Sequence, residues 1–186
     1  MHPVIAAALV VASGWAVRDG RVVPLDHELR ARITALRTPE RDAIVRVATD
    51  LGSLYGVGVV AGTVALTGRT ALARRVAVSG ATAWTLAQAA KPLLPRERPY
   101  QADGAERIVV EPAGTSWPSG HAAVAAAMAS TLGRGRGALV RGTLAAIAAA
   151  VGASRVYVGV HHPSDVVAGY GLGALSASLV RLLGRR

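Results

Sequence analysis

The sequence predicts an all-α fold, a six-span transmembrane helical bundle with short interfacial helices. Three observations predict it. Just over half of the 186 residues are apolar, gathered in runs, and mostly Ala, Val and Leu, with no Phe. Within the runs small residues abound (Gly56, Gly58, Gly62; Ala122, Ala123, Ala125; Ala145, Ala146, Ala148), as helices that pack in lipid require. The charges between the runs differ in kind from one connection to the next.

Six apolar segments stand out: Pro3–Val17, Leu51–Gly68, Val76–Leu94, Gly120–Gly133, Ala138–Ala153 and Val166–Leu183. The first has no Lys or Arg before it. It therefore reads as a retained span rather than a cleaved signal. Several segments are short, since fifteen helical residues reach roughly 22 Å against about 30 Å of hydrocarbon. A soluble bundle of unusually apolar helices is the competing reading. The small-residue faces argue against it, because a soluble core would use Leu, Ile and Phe.

Arg69, Arg74, Arg75, Arg134, Arg136, Arg185 and Arg186 occupy one set of segment ends, without an acid among them. Arg141 and Arg181 lie just inside the spans on that side. Every Asp and Glu falls in the other set. Six spans put the two sets on opposite faces. The preference of Lys and Arg for the cytoplasmic side places the acid-free end inside, although counting the first hairpin alone reverses the orientation.

The stretch from Arg18 to Asp50 is polar and amphipathic. Leu25, Leu29, Ile33 and Leu36 recur at near-helical spacing. Asp26 is a candidate cap for a first short helix, and Thr38 and Pro39 separate it from a second. Two helices lying on the membrane surface and an ordinary solvated connection both fit. No repeat, low-complexity tract or composition shift divides the chain, so residues 1–186 read as one domain.

The net charge of +10 does not indicate a nucleic-acid partner, because the cations punctuate apolar runs instead of forming a soluble basic face. Cysteine is absent, which excludes disulfides, thiolate nucleophiles and Cys-based metal sites.

Three short motifs supply a phosphate-handling set. Lys91 lies near the end of the third segment, with Arg98 and Pro99 just beyond it. Pro118, Ser119, Gly120 and His121 open the fourth. Ser154, Arg155, His161 and Asp165 link the fifth to the sixth. With six spans, all three reach the acid-containing face, a convergence not used to place the spans. Ser119 suits a helix N-cap, Gly120 permits close backbone approach, and a helix N-terminus favours an anion. His161 and Asp165 are four apart, with Pro163 fit for a first helical turn. A carboxylate at Nδ1 would fix the tautomer and leave Nε2 to attack; a helix-capping Asp beside an interfacial His is the plainer alternative. Lys91, Arg98 and Arg155 would hold non-bridging oxygens, the arginines bidentately, or else snorkel to the interface.

In order and spacing the set closely resembles the type 2 phosphatidic acid phosphatase superfamily, whose pattern is K-x6-R-P, then P-S-G-H, then S-R-x5-H-x3-D. Every fixed position is matched. The resemblance implies a helical membrane enzyme that hydrolyses a phosphate monoester or diphosphate without metal or other cofactor. It implies His161 as nucleophile forming a phosphohistidine, Asp165 orienting it, and His121 as proton donor and then base. It implies Lys91, Arg98, Ser119, Gly120 and Arg155 as the phosphate pocket. His162 lies outside the pattern. The departures are a short first span and a compact connection from Pro95 to Trp117.

The expected partners are a lipid phosphate substrate and membrane lipids. The expected place is a bacterial cell membrane, with the site on the extracytoplasmic side. Polyprenyl (di)phosphate and polyprenylphosphoryl-phosphoribose lead among substrates. Phosphatidate or phosphatidylglycerophosphate hydrolysis and lipid phosphotransfer are the alternatives. A vanadate-dependent haloperoxidase shares such an anion pocket but is soluble, and a non-catalytic lipid binder would not need the two histidines and the aspartate. The residues leave oligomeric state undetermined.

Overall fold

A computed structural model describes residues 2–184. Arg185 and Arg186, two charges of the expected basic end, lie outside the described residues. Among those described, the order is α1 (Pro3–Arg18), α2 (Val23–Thr34), α3 (Pro39–Ala48), α4 (Leu54–Leu66), α5 (Thr70–Ala90), α6 (Pro99–Ala102), α7 (Gly120–Leu132), α8 (Ala138–Tyr157) and α9 (Pro163–Leu183), with no strand. Short 3-10 turns follow α3 at Thr49–Gly52 and α5 at Lys91–Leu93.

The six apolar segments become α1, α4, α5, α7, α8 and α9, the body of an all-helical membrane bundle. The bounds move where local chemistry dictates. α5 begins six residues before the expected Val76, at Thr70, and stops at Ala90, with Pro92 in the 3-10 turn beyond. α8 continues to Tyr157, so Arg155 lies in its last turn. Pro163 starts α9 and Asp165 falls in its first turn.

α8 and α9 are each long and apolar enough to cross a membrane alone. α1 with α2, and α3 with α4, reach that length only as pairs bent by 102° and 72°. α4 and α7 have 13 residues each. Such a helix spans only about 20 Å. α7, bounded by Ser119 and Gly133, runs through the middle of the bundle, packed on α5, α8 and α9, with Ala122 to Met128 all buried.

Glycine sets the closest approaches, but Gly58 and Gly62 of α4 face open space. The close helix-to-helix backbone contacts lie on α9. A Cβ on Gly169 would stand 2.4 Å from the Ser119 carbonyl oxygen, and one on Gly173 would stand 2.1 Å from that of Ala123. Neither fits, so α9 lies with its backbone against α7. That contact fixes the start of α9, with Asp165, beside the start of α7, with His121.

The bends after α1 and before α4 carry α2 and α3 across the end of the bundle. Thr38 caps α3, its hydroxyl accepting from Arg41 N at 3.3 Å. The expected apolar stripe divides: Leu25, and Leu36 beyond the end of α2, are 54% and 55% exposed, while Leu29 and Ile33 are half-buried. Ile33 packs on Val156 and Val166. Asp26 is not a cap. It lies inside α2, 2% exposed, and reaches the start of α9. A buried carboxylate must be paired, and here its partners lie on the face that Asp26 shares with Ile33.

Candidate active site

Four segments converge at the end of the bundle covered by α2 and α3: the end of α8, the start of α9, the start of α7, and the connection from Lys91 to Trp117. After α8 the chain turns through Gly159, whose φ of +82° and clash with Glu106 O exclude a side chain. Val160 N and His161 N both donate to Arg155 O at 3.2 Å. This tight turn brings His161 back against α9.

Asp165 is fully buried and well satisfied. Ser116 Oγ donates to its Oδ2 at 2.6 Å, His162 N donates to the same oxygen at 2.8 Å, and Arg96 Nη1 donates to Oδ1 at 2.8 Å. Asp165 therefore does cap α9, through the His162 amide, while also facing His161. The His161 Nδ1 to Asp165 Oδ2 distance is 3.6 Å, outside hydrogen-bond range, so the coupling is electrostatic. On the other side of the ring, Nε2 lies 3.5 Å from Arg98 Nη1. Burial pushes the His161 imidazole well below its usual range, while Asp165 pulls it partly back. The ring is therefore neutral at physiological pH.

Arg98 is 1% exposed. The Val160, Ala113, Gly114 and Thr115 carbonyls accept from its guanidinium at 2.8 to 3.2 Å. Lys91 Nζ also donates to Thr115 O. Both cations are thus held by backbone dipoles without a carboxylate partner. Arg155 donates from Nη1 to Thr49 Oγ1 at 2.8 Å, and its buried Nε has no hydrogen-bond partner. His121 stacks edge-on to Trp84 with centroids 6.2 Å apart, within electrostatic reach of Arg155, His161 and Arg98.

Ser119 is the N-cap of α7, its hydroxyl facing Ala122 N at 3.4 Å. Its own amide donates to Asp165 O at 3.0 Å, tying the two motifs together. Gly120 has a packing reason for its size: a Cβ would stand 3.2 Å from the Trp84 ring. All eight site residues expected from sequence thus lie in one neighbourhood. Of them His121 and Lys91 are only half-buried.

Sequence reasoning passed over a second layer. Arg96 bridges Asp165 and Asp26, with Nη2 donating to Asp26 Oδ2 at 2.7 Å. Ser164 donates to Asp26 through its amide at 2.8 Å and its hydroxyl at 2.6 Å. Ser116, Thr49 and His162 complete it. His162 is 4% exposed, its Nε2 lying 3.3 Å from Glu97 O, and so braces the connection. Of this layer the sequence singled out only Asp26, as a candidate cap, and His162, as a residue outside the motif pattern.

A buried neutral imidazole lies between a fixed carboxylate and a guanidinium, with a second imidazole and further cations around it, in a helical membrane protein. The family profile of the PAP2 superfamily matches residues 71–186, and the chain belongs to that superfamily: it is a membrane phosphatase. A decaprenylphosphoryl-5-phosphoribose phosphatase of Mycobacterium tuberculosis is 37% identical over 126 residues, 64% of this chain and 69% of that protein. The crystal structure of a PAP2-type phosphatidylglycerolphosphate phosphatase from Bacillus subtilis superposes with a TM-score of 0.79 at 25% identity, covering 98% of this chain and 96% of that one. Aquifex aeolicus LpxE shares the fold, with a TM-score of 0.75 at 24% identity over 85% of this chain and 95% of its own.

Proposed function

We propose that residues 1–186 act as one domain that hydrolyses the phosphate monoester or diphosphate of a membrane lipid through a phosphohistidine on His161. The observation that carries this reading is the setting of the His161 ring, with Nδ1 toward Asp165 and Nε2 toward Arg98. The unprotonated Nε2 attacks phosphorus and the ester or anhydride P–O bond breaks. His121 gives its proton to the departing oxygen. Water then attacks the phosphohistidine, His121 takes the water proton, the P–N bond breaks, and phosphate leaves with His161 restored. Lys91, Arg98 and Arg155 hold the equatorial oxygens, where phosphoryl transfer gains most from positioned charge. Ser119 and Gly120 present the start of α7 to the same anion.

The substrate we favour is a polyprenyl lipid carrying a terminal phosphate, either a polyprenyl (di)phosphate or a polyprenylphosphoryl-phosphoribose, for which the M. tuberculosis relative speaks. The likeness to the B. subtilis enzyme over nearly the whole chain supports phosphatidylglycerophosphate as the second candidate. The site faces the outside of a bacterial membrane, given that the acid-free basic end faces in. The test is phosphate release in detergent from a panel holding both lipid classes, with an alcohol acceptor added in a parallel series. Wild type releases phosphate and His161→Ala, folded, does not. Unchanged turnover in that variant refutes the nucleophile, and phosphate recovered on the alcohol makes the protein a phosphotransferase.

A further inference from the structure

At the end of the bundle away from the histidines, α8 and α9 part. They meet at Tyr170, whose hydroxyl donates to the carbonyls of Ala148 and Ala149 at 3.1 Å. Gly152 gives the ring its room, since a Cβ there would stand 1.9 Å from Tyr170 Oη. Beyond Tyr170 the two helices enclose, with the ends of α5 and α7, a cavity of about 830 Å³. Its walls between α8 and α9 are small side chains, among them Ala145, Ala174 and Ala177. Its mouth is ringed by Arg75 of α5, Arg134 of the turn after α7, Arg141 of α8 and Arg181 of α9. No acid lines it.

Arginines at helix ends are what topology selects, and as topology signals alone they would spread independently into the headgroup layer. Here four of them, from four different elements, surround one apolar cleft. Arg181 Nε is buried without a hydrogen-bond partner. From Arg181 to Tyr170 is eleven residues, a rise of roughly 16 Å, about half the thickness of a hydrocarbon core. The cleft is thus as deep as one leaflet, apolar inside and cationic at the rim.

We propose that this cleft binds an anionic phospholipid of the leaflet opposite the histidines. The phosphate sits among the four guanidiniums, and one acyl chain lies between α8 and α9 up to Tyr170. A basic pocket between spans is the kind of site that selects anionic headgroups. A zwitterionic lipid would bring a cation among four guanidiniums, where the described residues offer no acid. The inference does not depend on which substrate His161 attacks. Asp165 and Arg181 are sixteen residues apart on α9, which separates the two sites by roughly 24 Å.

The experiment titrates phosphatidylglycerol or phosphatidylcholine of identical chains into detergent-purified protein. Bound lipid is followed by native mass spectrometry and the thermal midpoint. One phosphatidylglycerol is retained and the midpoint rises saturably, while phosphatidylcholine does neither. The pair Arg141→Gln and Arg181→Gln weakens that binding about tenfold. The pair Arg69→Gln and Arg74→Gln, with equal charge loss outside the cavity, leaves it within about twofold. Ala145→Phe fills the cleft and expels the lipid with every charge intact. Retained phosphate release shows that each variant is folded, because none of these residues touches the catalytic end. Equal retention of both lipids, equal loss in both arginine pairs, competition by soluble glycerol phosphate as strong as by lipid, or a dimer that forms in place of lipid binding would each overturn the proposal.

Discussion

Arg96 donates from Nη1 to Asp165 Oδ1 at 2.8 Å, so the carboxylate facing His161 is held by a guanidinium outside the three motifs. The same guanidinium holds Asp26 of α2 through Nη2 at 2.7 Å. Two buried acids share one cation, and the remaining oxygens are taken by Ser116, Ser164 and the His162 amide. The carboxylate therefore cannot swing. Its distance from the imidazole is set by the connection after α5 and by α2 together, which gives the surface helices a direct part in the geometry of the site.

Arg96→Ala should leave two buried carboxylates without their cation. Loss of one partner from a buried pair costs about 3–5 kcal/mol, and loss of an outer orienting group costs about 10–100-fold in activity. The expected result is a fall in kcat of that order with KM little changed, and a lower thermal midpoint in detergent. Arg96→Lys keeps the charge but not the fork and should recover part of the rate. A KM effect alone would move Arg96 from positioning Asp165 to binding substrate.

The His161 ring is the second point of test. Burial lowers its pKa and Asp165 raises it again in part. A neutral ring is the attacking form, so a lowered pKa keeps the nucleophile competent below the usual histidine value of about 6.5. In nitrogen-labelled protein the His161 resonances should stay neutral at pH values where an exposed histidine is charged. Removing the raising influence with Asp165→Asn should move the transition further down. An upward move in that variant would mean that the aspartate does not face the ring in solution.

Vanadate adopts the five-coordinate geometry of the phosphorus under attack. It should inhibit competitively with lipid phosphate, and less strongly in Arg155→Gln, which loses the guanidinium whose Nε has no protein partner. A chelator such as EDTA should leave phosphate release unchanged. Loss of activity on chelation, restored by a divalent ion, would replace the phosphohistidine scheme with metal-assisted hydrolysis.

Much of this was legible in the chain, for identifiable reasons. Apolar runs with small residues mark helices whatever their partners, so α1, α4, α5, α7, α8 and α9 could be read to within a few residues at most ends. His121, His161 and Asp165 could be picked because their spacing is tied to helix starts. Asp26 could not. Its partners Arg96 and Ser164 lie 70 and 138 residues away, and no local pattern in α2 marks a carboxylate that is buried on the same face as Ile33. The small residues were placed in part: Ala122 and Ala123 lie at the contact with α9, while Gly58 and Gly62 face open space. Gly58 and Gly62 resemble Gly169 and Gly173 in sequence, and only the fold tells which pair meets a backbone.

That last distinction is directly testable by paired substitutions to alanine. At Gly173 the new methyl carbon would stand 2.1 Å from Ala123 O on α7, and at Gly169 it would meet Ser119 O, the first residue of the α7 cap. α9 must then lift away from α7. Overpacking of this kind costs about 1–3 kcal/mol or more. At Gly58 the same methyl meets nothing within 4 Å and removes the helix penalty of glycine, about 1 kcal/mol. Thermal unfolding in detergent should therefore fall for Gly169→Ala and Gly173→Ala and hold or rise for Gly58→Ala. Phosphate release at a temperature where all three are folded separates scaffold from site. Gly169→Ala, one turn from Asp165, should lose more activity than Gly173→Ala, because lifting α9 there moves the carboxylate away from α7 and from His121. Equal activity in the two would show that the start of α9 is held by Arg96 and Asp26 alone, without help from its contact with α7.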